Sequence, residues 1–218
     1  MRHRIQYKLS QGDVLTYEKE LTQLVQRPDG SRLEGAALEE LVQEVVSQQD
    51  GVSTVLLTAR TLTSRGPLAA DNPADSTTRK RLIKIDSQGS LLDRGAGMAL
   101  PQIPAFPQDE LSVGQAWHAV APAPDTGVMF QVQSGLEAFE QRGDEVLAQV
   151  VTVGETSNED QGYEVETQAA VSFSVTHGHQ VSSTTVIRQN WQDGRVGHTV
   201  FELRLKSRRN PMINGVSP

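Results

Sequence analysis

The sequence predicts an all-β, mainly antiparallel protein, built as a curved sheet or an open barrel, and three observations carry that expectation. Tyr163, Val165, Thr167, Ala169, Val171, Phe173 and Val175 alternate with Glu164, Glu166, Gln168, Ala170, Ser172 and Ser174. That is the pattern of a half-buried strand, because successive side chains leave opposite faces of the pleat. Runs of similar grammar recur along the chain, about nine in all, punctuated by Gly, Asp and Asn turns. The 218 residues are 37% hydrophobic and 22% charged, which suits strands with one wet face, since these need only half their residues apolar.

Taken in order, Ile5 to Leu9, the turn Gln11-Gly12-Asp13 and Val14 to Val25 read as a hairpin, closed by Arg27-Pro28-Asp29-Gly30. Leu38, Leu41, Val42, Val45 and Val46 recur at helical spacing among good helix formers, which predicts one helix near 36–48. The same residues also read as the first half of a hairpin that turns at Asp50-Gly51 into the β-branched run Val52 to Leu62, and both readings stand. Arg65 to Thr78, with Gly66, Pro67, Asn72 and Pro73, is an expected loop. Arg81 to Ile85 leads through Asp86-Ser87-Gln88-Gly89 to Leu91-Leu92.

Ala96 to Asp109 holds Pro101, Pro104 and Pro107, whose fixed φ and missing amide donors exclude sheet interior. This connection over 96–109 either divides two lobes or crosses between parts of a single β-rich domain spanning 1–218. Gly127 to Gly135 and Val146 to Val153 supply two more strands, joined by Glu140 to Asp144. Beyond the alternating strand, His177-Gly178-His179 is a turn. Gln180 to Trp191 is the next strand, and after Gln192-Asp193-Gly194 a last one carries Thr199, Phe201, Leu203 and Leu205 on one face. Residues 207–218 read as a flexible tail.

With no cysteine, disulfide scaffolds, cysteine nucleophiles and cysteine-ligated metals are excluded. The formal charge of −7, and basic groups at Arg79-Lys80-Arg81 and Lys206/Arg208/Arg209 without interleaved aromatics, argue against nucleic acid as a partner. No apolar h-region follows the basic start, so no signal peptide is expected in this chain. Nor does any run approach the roughly 18 apolar residues of a membrane-spanning helix.

Trp117 and Trp191 are anchors for sheet corners and the candidate ligand-lining residues. His177 and His179 would share a strand face and are the candidate metal ligands, although the glycine between them marks a turn and no second ligand pair follows. His198 falls on the polar face of its strand. No Gly-x-Ser-x-Gly elbow occurs, and Gly95-Ala96-Gly97 lacks the strand-to-helix setting of a phosphate loop. We therefore assign no catalytic residue, expect no cofactor and read the protein as non-enzymatic.

The phrase Phe106-Pro107-Gln108-Asp109-Glu110-Leu111-Ser112-Val113-Gly114-Gln115-Ala116-Trp117 resembles the P-x-x-x-L-x-V-G-x-x-W signature of a family of bacterial, mostly extracytoplasmic proteins of unknown function, many of them lipoproteins. Tyr7 to Asp13, Asp86 to Gly89 and Val171 to Ile187 are similar to that family's opening, central and closing segments, so the likeness extends loosely over most of the chain. It implies a β-rich fold with a curved sheet and an extracytoplasmic address, and it implies no reaction. This chain differs from many members in having no lipobox cysteine. Three functions follow as expectations: a binding or assembly module with a protein partner or a homo-oligomeric state; a carrier holding a lipid or other hydrophobic small molecule in a concave sheet; and an enzyme of unrecognised type.

Overall fold

The computed structural model describes residues 2–66, 78–92, 105–122, 129–158 and 162–210. Of the segments expected above, 67–77 and 96–104 of the two loops, 95–97 of the glycine-rich stretch, 127–128 of one strand and 211–218 of the tail lie outside the described residues. Twelve strands are present among the described residues: β1 (Arg2–His3), β2 (Val14–Gln26), β3 (Arg32–Gln49), β4 (Val52–Arg65), β5 (Thr78–Asp86), β6 (Leu111–Ser112), β7 (Ala116–Pro122), β8 (Met129–Arg142), β9 (Glu145–Asn158), β10 (Tyr163–Ser174), β11 (His179–Trp191) and β12 (Val196–Arg209). Residues 207–209, expected in the tail, are the last of β12.

Ten strands form one antiparallel sheet in the order β5-β4-β3-β2-β12-β11-β10-β9-β8-β7, while β1 pairs with β6. The outer strands β5 and β7 do not pair with each other, so the sheet is open. Sequential hairpins build each side of it, and β2 and β12 join the two sides. β10 alternates buried and exposed residues from Tyr163 to Ala170, as its sequence requires.

No helix occurs among the described residues, and the helix expected near 36–48 is the middle of β3. The apolar spacing that suggests a helix is two interleaved series, Leu38/Val42/Val46 and Leu41/Val45. Each steps by four, and an even step also keeps a residue on one face of a strand. Leu41 and Val45 are buried, whereas the other series faces outward, with Val46 37% exposed. Pairing on both sides then satisfies the backbone of β3. At Asp50 and Gly51 φ is +51° and +78°, the tight hairpin connection whose twist suits the flanking strands.

The first expected hairpin is also corrected. Residues 4–10 join no strand; they run as an extended segment against the inner face of the sheet. The Tyr7 amide donates to Ser87 O (2.7 Å) and the Lys8 amide to Gly178 O (3.0 Å). Alternation persists because Ile5 and Leu9 are buried, Ile5 in one apolar cluster and Leu9 in the other, and Tyr7 touches both. Gly178 has φ +66°, and a Cβ there would lie 2.3 Å from the Lys8 amide nitrogen, so glycine lets the two chains approach.

One small enclosure is lined by Val55, Ile83 and Ile85 of β4 and β5 together with His179 and Gln180 of β11. In a flat sheet β5 and β11 would lie five strand spacings, about 24 Å, apart. The sheet must therefore curl strongly, and its concave face holds the core. At the end of that face near the β2 start, the two clusters are sealed by the N-terminal segment and by Phe106, which packs on Tyr7 and Phe173.

Candidate functional site

Beyond the sealed end, register carries the concave face outward. Opposite Lys19 stand Glu39 and Leu203; the next row is Phe201, Leu21 and Ala37; then come Thr199, Gln23 and Gly35, and then Gly197, Val25 and Leu33. Leu21, Val25 and Phe201 are half-buried and Leu33 is 37% exposed. On the β10–β11 side of the same face, Val165 and Ile187 are buried and pack with Trp191 and Phe201. The outer part of the concave face is thus mainly apolar, interrupted by the polar pair Thr199 and Gln23, built with small residues at Gly35, Ala37 and Gly197, and incompletely covered by described residues.

Charge sits at the boundary between the sealed and open parts. The parity that buries Leu15 and Tyr17 also points Lys19 inward, where its Nζ meets Glu39 Oε2 at 3.0 Å and stands 5.1 Å from the Phe201 ring centroid. Both charged residues are 5% exposed. Arg79 of β5 and the Thr61 hydroxyl donate to the other carboxylate oxygen of Glu39. Burial alone would raise the Glu39 pKa, but Lys19, Arg79 and Thr61 together hold it below the usual carboxylate range. Arg81, two residues beyond Arg79, faces the same side, opposite Leu57.

The tryptophans behave as anchors. Trp117 is half-buried against the core beside Phe106, and its indole N–H donates to Ala105 O at 2.8 Å. Trp191 lies across Gly197, where a Cβ would come within 2.8 Å of the ring, and Arg195 covers it at 5.0 Å. Of the two, only Trp191 borders the open apolar face.

His177 is exposed in its turn and His179 is buried, with ring centroids 6.0 Å apart. The Arg208 guanidinium reaches both: one nitrogen contacts His177 O (3.0 Å) and His179 Nδ1 (3.3 Å), while the other meets Asp13 Oδ2 at 2.9 Å. Burial, and then the Arg208 charge, push the His179 pKa down to about 4. No group of three or more metal-capable side chains occurs among the described residues. Sequence reasoning missed both charged centres, Lys19–Glu39 and Asp13–Arg208. The inward parity of Lys19 was a usable signal for the first, but a pair of residues 195 apart leaves none.

The enclosure under β4, β5 and β11 has room for about one water, about 10 Å³. Tyr17 Oη donates there to Gln180 O at 3.0 Å, while Tyr7 Oη and Gln180 Nε2 have no described partner.

No family model matches the sequence, and no curated protein matches it. Among solved structures the fold is similar to part of lipovitellin, in a structure concerned with lipid–protein interactions in that protein. The two are 12% identical over 93% of this chain, with a TM-score of 0.50. The chain spans about a quarter, 26%, of the length of that lipovitellin chain, and at this identity the likeness is one of fold.

Proposed function

We propose that this protein is a non-catalytic, β-rich binding module that carries a hydrophobic ligand, a lipid, on the outer part of its concave face. The carrying observation is the open, curled sheet whose inner face is filled by the chain itself at one end and is apolar and half-exposed at the other, around Leu21, Val25, Leu33 and Phe201. Concave apolar surface with few polar groups is what a hydrophobic ligand needs. The lipovitellin-like fold, in a protein whose structure concerns lipid contacts, supports the same reading.

Native mass spectrometry of protein purified from its own source tests the proposal: co-purifying lipid is expected. Bare protein that also takes up no lipophilic fluorescent probe would refute it. The Pro107 to Trp117 resemblance extends the proposal to an extracytoplasmic bacterial setting, which fractionation of the source cells checks.

A second reading, assembly, rests on the outer edges of β5 and β7, where among the described residues only the Lys84–Asp86 end of β5 is covered, by residues 90–92. Light scattering should then show a closed oligomer or partner complex, and a strict monomer would count against it.

A further inference from the structure

The concave face is not electrically neutral. The inner side of β2 to β5 carries Lys19, Arg79 and Arg81 and one carboxylate, Glu39, which Lys19 and Arg79 contact while Arg81 lies opposite Leu57. Lys19 and Glu39 neutralise each other in the interior, while the Arg79 side chain remains 45% exposed and Arg81 half-exposed. Among the described residues Arg81 makes no ion pair, so two guanidinium groups stand on one face of the edge strand. Two residues along a strand separate them by about 7 Å. Their forked donors suit the oxygens of a phosphate better than a point charge would. Leu21 and Phe201 lie three and four strand spacings across the same face, and four residues along from the row of Arg79, Ala59, Leu41 and Tyr17, a span of about 20 Å along the sheet that an acyl chain anchored at β5 covers.

We infer that the ligand is a phospholipid with an anionic headgroup, its phosphate held by Arg79 and Arg81 at the β5 edge while an acyl chain lies across Leu21 and Phe201. This deepens the carrier reading and rests on it. An excess of two positive charges selects a phosphate, which carries more than one negative charge when it is a monoester, over a neutral headgroup. Because the arginines are at the rim, the selection weakens as salt rises.

Dioleoyl phosphatidate, dioleoylglycerol and oleate, each titrated into the full chain and read by native mass spectrometry, test this. The wild-type protein should take phosphatidate at least about tenfold more tightly than the neutral lipid of identical chains. Arg79→Gln/Arg81→Gln should lower phosphatidate to the dioleoylglycerol level while leaving the latter unchanged. Arg81→Gln alone leaves the partners of Glu39 in place, so it separates headgroup binding from folding, and it should lose several-fold. Equal binding of charged and neutral lipid, or a preference that survives both substitutions, overturns the headgroup site but leaves the carrier standing. Tighter binding of oleate than of phosphatidate overturns the phosphate assignment. If no lipid binds at all, the carrier reading fails first and this inference with it.

Discussion

Removing one member of the Lys19–Glu39 pair should cost very different amounts depending on which is removed. Glu39→Leu strands the Lys19 ammonium, whose side chain is 7% exposed, against little more than the Phe201 ring. An uncompensated buried charge costs about 3–5 kcal/mol. Lys19→Met leaves the carboxylate with Arg79 and Thr61, so a loss of about 1–2 kcal/mol is expected. With both replaced, the face becomes apolar at similar volume and Arg79 is released toward solvent. The double variant should lie within about 1 kcal/mol of wild type, because well-packed apolar residues substitute for buried ion pairs at little cost. The implied coupling is about 3 kcal/mol or more. Urea unfolding followed by far-ultraviolet circular dichroism on the four proteins measures each value. Equal single-variant losses, or losses that add in the double variant, would refute the picture of a desolvated and mutually dependent pair. Since the Glu39 pKa is lowered in the fold, the pair's contribution is present above the ordinary carboxylate pKa and fades as pH falls through the lowered value.

A lowered pKa at His179, about 4 against an ordinary 6.5, means the unfolded chain binds more protons between those values, so stability rises with pH across that window and levels off above it. Wild-type protein should lose about 2–3 kcal/mol on going from pH 6.5 to 4 through this residue, and His179→Gln should flatten that part of the denaturation profile; superimposable profiles would dismiss it. Gly178→Ala forces a Cβ against the Lys8 backbone at positive φ and should cost more than about 3 kcal/mol, with new proteolytic cleavage within residues 4–12 as the direct sign that the segment has been displaced. Trp117→Phe keeps the apolar ring but removes the donor to Ala105 O, for a loss of about 1 kcal/mol or somewhat more in melting experiments. Gly197→Ala crowds Trp191 and should cost about 1–3 kcal/mol, visible also as a change in tryptophan emission.

Local pattern carried much of the fold. Alternation placed β10, and Thr199, Phe201, Leu203 and Leu205 fall on one face of β12 as their spacing implies. The helical spacing at 36–48 could not decide, because a step of four residues is compatible with a helix face and a strand face alike; pairing with β2 and β4 decides it. Ile5 to Leu9 alternates for a reason unrelated to hairpin pairing: the segment lies between two apolar clusters. The concave site was less legible. Its apolar members belong to the β2–β3 hairpin and to β12 at the other end of the chain, and the Glu39–Arg79 contact depends on a sheet register that no short window contains.

The β2–β12 joint also has a kinetic meaning. Four strands lie on one side of it and six on the other, each side assembled from neighbours in sequence, whereas the joint pairs Val14 with Arg209. Zipping of adjacent hairpins encloses short loops, but closing the joint encloses nearly the whole chain, and such long-range contacts form late and slowly. Until it closes, both sides expose the bare backbone edges of β2 and β12, which template pairing with other chains. The concave face does not exist in that interval, so the same step that completes the molecule also creates the surface on which a lipid would rest.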